Sequence, residues 1–194
     1  PWVRTESGIY RFDGGIWTPY PLGQLATTDF TVWTVDASET VWAGVYPKRW
    51  EIRSPTKTIP FKDNGNNANS WGFCIFMLSK PDGETVIGTN YNAGTDHHPS
   101  WNGFLFSFKD STVNQYRSYT GRFTSACFGP DNTLLMGLEP HRFYETGQVF
   151  GGGLYINAAG YFEQNGLLSK HVAAVTATPD GAAWASTIPY YSNS

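Results

Sequence analysis

The sequence predicts an all-β fold, and three observations carry that prediction. Aromatic residues make up 16% of the chain and glycines number 21, while charged residues are only 15%, a balance far from disorder and far from a coiled coil. A tight-turn signature recurs four times, as "ASETVWAGV" from Ala37, "PDGETVIGT" from Pro81, "PDNTLLMG" from Pro130 and "PDGAAWAST" from Pro179. Before each copy runs a stretch of β-formers: "FTVWTVD", "FCIFMLS", "FTSACFG" and "VAAVTAT".

Taken in order, the elements resolve into one repeating unit. Each β-rich stretch and the strand after its turn form a hairpin, strands A and B. Asx and Gly residues supply the positive φ that such turns need, and Pro stiffens the entry. Asp82, Asp131 and Asp180 are therefore read as turn formers. A second pair, C and D, is written as "GIYRFDGGIWTPY" from Gly8, "GFLFSFKDSTVNQY" from Gly103 and "GLYINAAGYFEQ" from Gly153. Units 31–62, 72–117 and 122–163 supply all four strands, while the ends supply C and D from 8–21 and A and B from 171–187. Trp2, Trp17, Trp42 and Trp184 are read as packing between neighbouring sheets, where large aromatics bury the most area.

A four-stranded meander recurring every 44 to 49 residues or so points to radially arranged blades, a β-propeller built from four-stranded antiparallel blades. At 194 residues the chain suits a single domain, 1–194, with about four blades. Pairing 8–21 with 171–187 would close a ring and leave no sheet edge open. The stretch "WVRTESGIYRF" already resembles a B strand leading into C, so the alternatives are a displaced arm at residues 1–7 or membership of a larger propeller. The closed ring is the preferred expectation.

The stretch "GIYRFDGGIWTPYPLGQL…FTVWTVDASETVWAGV" resembles the short propeller repeat of two-component regulators. That repeat runs Gly-Leu-Tyr-Arg-Phe-Asp-Gly, then Trp and Tyr, then an Asp-x-Gly turn and Trp-x-Gly-Thr. "GGLYINAAGYFEQNGLLSKHVAAVTATPDGAAWAST" is similar to it as well, whereas residues 45–70 lack the Gly-Leu-Tyr start. Such domains are periplasmic ligand receptors joined to a kinase. The resemblance implies a non-catalytic binding, sensing or scaffold module, extracellular or periplasmic.

Several function classes are set aside. The net charge is −3 with no basic stripe, so nucleic acid is not an expected partner. No apolar run approaches about 18 residues, the longest lying near "WGFCIFML", so no membrane insertion is expected. A start at Pro1 is read as a processed product, an excised domain or an incomplete sequence. Cys74 and Cys127 fit small buried hydrophobes better than a disulfide framework. No Gly-x-Ser-x-Gly, Walker loop, dinucleotide fingerprint or sialidase-type Asp box is present.

Function is expected where the chain departs from its repeat. Alternating strand direction puts the short A-to-B and C-to-D turns on one face and the B-to-C and D-to-A connections on the other. The long B-to-C connections, "NYNAGTDHHPSWN" from Asn90 and "EPHRFYETGQVFGG" from Glu139, are individual, and such loops are where sites are built. On this face the sequence places Asp96, His97, His98, Trp101, Glu139, His141, Arg142, Phe143, Tyr144 and His171, with Lys48, Arg49 and Trp50. Aromatic platforms beside Arg, Asn and acidic groups suit a carbohydrate, with a protein ligand as the second option. No cofactor is expected. The alternatives are a transition metal at His97, His98 and His141, with Asp96 and Glu139 beside them, or calcium at "KDNGNNANS" from Lys62. Adjacent His97 and His98 would point apart in extended chain, and Asp63 is the only carboxylate of the second segment. The competing reading is a carbohydrate-active enzyme, a lyase or hydrolase, using His97, His98, His141 or His171 as base or metal ligand.

Overall fold

A computed structural model describes residues 1–26, 30–45, 51–60, 72–92, 101–142, 148–156, 161–163, 167 and 169–189. Among them there is no helix, and the nineteen strands run in antiparallel sheets of two to four. No helix of the described residues is long and apolar enough to cross a membrane. The first sheet is β1 (Trp2–Thr5), β2 (Gly8–Phe12) and β3 (Trp17–Pro19). The second is β4 (Phe30–Val35), β5 (Val41–Val45), β6 (Glu51–Arg53) and β7 (Thr58–Pro60). The third is β8 (Gly72–Ser79), β9 (Thr85–Asn92), β10 (Trp101–Lys109) and β11 (Thr112–Thr120). In the fourth, β12 (Arg122–Phe128), β13 (Leu134–Glu139), β16 (Gly153–Ile156) and β17 (Tyr161–Glu163) are adjacent in that order. A small pair, β14 (His141–Arg142) and β15 (Val149–Phe150), lies between β13 and β16 in the chain. The last sheet is the hairpin of β18 (His171–Ala177) and β19 (Ala183–Ile188).

One turn is built four times. At each hairpin the first residue's N–H donates to a carbonyl four residues on, and a second N–H donates back across three. The pairs are Asp36 with Thr40 and Glu39, Lys80 with Glu84 and Gly83, Gly129 with Thr133 and Asn132, and Thr178 with Ala182 and Gly181. The residue closing each turn is left-handed: Glu39 at φ 63°, Gly83 at 84°, Asn132 at 60° and Gly181 at 91°. The Asp side chains accept local amides, as read from sequence: Asp82 from Glu84, Asp131 from Thr133 and Asp180 from Ala182. Each first strand then carries a register shift at the same place, after Phe30, Cys74, Phe123 and Val172.

Successive sheets pack face to face through apolar layers. Ile9, Leu25, Val41 and Ala43 join the first sheet to the second; Trp42, Ile52, Met77, Ile87 and Phe106 join the second to the third. Phe76, Leu105, Tyr119, Phe123, Leu138 and Tyr155 form the layer between third and fourth, and Leu135, Val172 and Val175 that between fourth and last. The leading strand of each sheet is an edge, and in the fourth and last sheets side chains of the preceding sheet meet its outward backbone groups. Asn90 receives the Phe123 N–H at 2.7 Å and donates to the Phe123 carbonyl at 2.8 Å. Ser125 receives the Val175 N–H at 2.9 Å, and Thr124 donates to the Val172 carbonyl at 2.7 Å. At the rim, Arg117 donates to the Tyr155 hydroxyl at 2.7 Å and covers the rings of Tyr119 and Tyr155.

Two expectations change at the chain ends. Residues 8–21 do not pair with 171–187, because β1 pairs with β2 along its whole length, from Trp2 opposite Arg11 to Thr5 opposite Gly8. A strand one tight turn away closes its hairpin with far less loop entropy than one at the far end of the chain. The four tryptophans also part company. Trp42 is buried and Trp2 packs edge-on against Tyr20, as expected of packing residues. Trp17 packs on Phe12 of its own sheet and is half exposed, and Trp184 is 65% exposed, with no sheet among the described residues covering that side of the last hairpin.

Candidate binding face

The ends of β9, β11 and β13 and the starts of β10, β12, β16 and β18 meet at one end of the third, fourth and last sheets. Two glycines in left-handed geometry make this junction tight. At Gly121, φ is 111° and a Cβ would lie 2.6 Å from the Glu139 carbonyl oxygen; its N–H donates to the Trp101 carbonyl at 3.1 Å. At Gly152, φ is 78° and a Cβ would lie 2.6 Å from the Lys170 carbonyl oxygen and 2.9 Å from Pro140. The next N–H, of Gly153, donates to that same Lys170 carbonyl at 2.6 Å. Trp101, Glu139 and the segment into His171 are thus held by backbone contacts rather than by loop chance.

Side chains build a small polar and aromatic platform on this frame. Arg122 lies over the Trp101 ring, 4.6 Å from its centroid, and its guanidinium meets the Glu139 carboxylate at 3.3 Å. The carboxylate fixes the cation, and the cation fixes the indole. All three are partly exposed, so the group is at once ordered and reachable. His171 is half-buried, opposite Ile188 in the ladder, and its N–H donates to Ser169 Oγ at 3.1 Å.

Of the residues singled out in sequence, Trp101 and Glu139 share Arg122 as a neighbour, and His171 begins β18 at the same end of the sheets. His141 and Arg142 have their backbone in β14, opposite Phe150 and Val149, and their side chains lie outside the description. Lys48, Arg49, Trp50, Asp96, His97, His98, Phe143 and Tyr144 lie outside the described residues, as does the Lys62–Ser70 segment. Arg122 escaped sequence reading because it sits in a strand and not in a long loop. The available signal was a cation directly after the Thr-Gly at a unit junction, on the same end of the sheets as Trp101.

Chemically, the platform can stack and hydrogen-bond. Among the described residues no group of three His, Cys, Asp or Glu side chains is placed to hold a metal ion. Neither thiol is an activated nucleophile: burial pushes Cys74 up to about 12 and raises Cys127 as well, so both stay protonated at neutral pH. No protein-family model matches the chain, and no curated protein or solved structure is significantly similar to it.

Proposed function

We propose that the sheets are blades of a β-propeller and that the Trp101 face is a non-catalytic binding surface for carbohydrate, working outside the cytoplasm as a sensing or scaffold module. The blade reading is supported by four-stranded meanders stacked face to face, with one turn and one register shift repeated in each. Location outside the cytoplasm follows from the resemblance to regulator propellers. The observation that carries the ligand class is the Trp101 ring under an Arg122 guanidinium that is itself paired with Glu139. A sugar offers C–H faces to an indole and hydroxyls to a fixed guanidinium and carboxylate, which is the chemistry this trio supplies.

A glycan-array screen of the whole chain, followed by calorimetry on the best binder, tests the reading. Trp101→Ala should weaken binding about tenfold, or about 1.4 kcal/mol, and Arg122→Ala should weaken it further by freeing the indole. Binding should persist in chelator, since the trio needs no metal. Undiminished glycan binding in both variants would move the site elsewhere. Capture of a protein and no glycan would replace carbohydrate by a protein partner, and chemical turnover of the bound glycan would favour a lyase or hydrolase.

A further inference from the structure

The junctions between successive sheets are made from two kinds of half-face, and the chain leaves one of each uncovered among the described residues. The half that looks to the next sheet carries the second residue of β5, β9, β13 and β19: Trp42 opposite Thr34, Val86 opposite Leu78, Leu135 opposite Cys127 and Trp184 opposite Thr176. The first three lie in the apolar layers shared with the following sheet and are 7%, 1% and 5% exposed, against 65% for Trp184. The other half looks to the preceding sheet. Ile87, Phe106 and Phe108 supply it in the third sheet and Met136 and Tyr155 in the fourth, and all five are buried. Gly-Ile-Tyr-Arg from Gly8 aligns with Gly-Leu-Tyr-Ile from Gly153, so Tyr10 takes the place of Tyr155, and its ladder partner Val3 takes that of Met136. Phe12, two residues past Tyr10 on the same face, takes the place of Phe108, two past Phe106. On this half Val3 is 37% exposed, and Trp17, opposite Phe12, is 48% exposed.

We propose that a second copy of this chain covers the last hairpin, stacking its first sheet there so that Phe12 of one copy meets Trp184 of the other. The chain's own second and third sheets show how the two halves fit: Trp42 meets Phe108 edge-on, with ring centroids 4.6 Å apart. Trp184 and Phe12 are that same Trp and Phe by position, one on each uncovered half. Among the described residues no apolar layer joins the first sheet to the last hairpin within one chain. The occupant is a second copy because the half-face that continues the internal junction is one this chain itself carries. The two halves lie on different sheets, so the contact is head-to-tail and a dimer keeps one half open at each end. The inference stands on the equivalence of the sheets and is independent of what the Trp101 face binds.

Sedimentation velocity of the whole chain, from micromolar to millimolar concentration, tests it. The average mass should rise with concentration above that of the monomer. Val3→Asp puts a charge on the first-sheet half and Trp184→Asp puts one on the last-hairpin half, and a charge buried at an apolar contact opposes it. Each variant alone should stay monomeric, while a one-to-one mixture should form a dimer and nothing larger, because one intact half of each kind remains. Both positions are exposed in the single chain, so circular dichroism should match the parent, and recovery of the dimer in the mixture shows that both variants are folded. Val3→Lys and Trp184→Lys should repeat the pattern. A parent chain that is monomeric throughout overturns the proposal. So does undiminished association of either variant alone, and so does a mixture that stays monomeric while the parent associates, which marks one patch pairing with itself.

Discussion

Asn90 shows how much a single side chain can decide. It is buried, and its amide answers both backbone groups of Phe123 across the junction between third and fourth sheets. Asn90→Ala would leave a buried N–H and a buried carbonyl without partners, at a cost of about 2–4 kcal/mol. Asn90→Asp would keep the acceptor for the N–H but set an oxygen against the carbonyl, so it should not rescue. Urea unfolding of the two variants checks this: the midpoint should fall in both, with the slope unchanged. Nothing in "TNYN" announces the role, because the partner lies in a strand of the next unit. The same limit explains the tryptophans. Trp42 and Trp184 hold identical places after identical turns, and only the presence or absence of a covering strand separates a buried indole from an exposed one.

The hairpin turn was legible because everything it needs is local. An Asp, a left-handed residue and two flanking strands lie within ten residues, and sequence names them all. The Asp36 copy adds a longer reach: burial raises its carboxyl, but the Ser38 hydroxyl, the Trp42 indole N–H at 2.7 Å and the amides of Thr40 and Ser38 outweigh that and hold it below its ordinary 3.8. Asp82, Asp131 and Asp180 are lowered as well, Asp82 chiefly by the Glu84 amide and the other two chiefly by the hydroxyls of Thr133 and Thr178. A carboxyl lowered in the fold binds fewer protons there than in the unfolded chain. Its contribution is complete above the unfolded value near 4 and is lost as pH falls through the lower folded value. Stability measured by denaturant from pH 6 to pH 2.5 should therefore hold steady and then drop below about pH 4. Asp36→Asn should make that drop shallower, since it removes one of the four titrations while keeping an oxygen acceptor. Asp36→Ala should lower stability by about 1–3 kcal/mol near neutral pH, with four hydrogen bonds lost. The long connections resist the same reading because their shape depends on partners far along the chain; Arg122 joined the candidate site through Trp101 and Glu139, neither of which is its sequence neighbour.

At the scale of the whole molecule, order should follow how many sides of a sheet are covered. The third sheet has a packed neighbour on each face, through Met77, Ile87 and Phe106 on one side and Phe76, Leu105 and Tyr119 on the other. The fourth is covered likewise, by that second layer and by the one containing Leu135 and Val172. The last hairpin has one covered face, holding Val172 and Val175, and its outer strand leaves Trp184 and Ile188 to solvent. Local opening is governed by the apolar contacts a unit must break, so opening free energies should rank the strands by this coverage. Hydrogen exchange resolved by residue should find β9, β10 and β13 most protected and β19 least, by a factor on the order of 100 or more. Protection of β19 equal to that of β13 would mean that its free edge is already paired in solution.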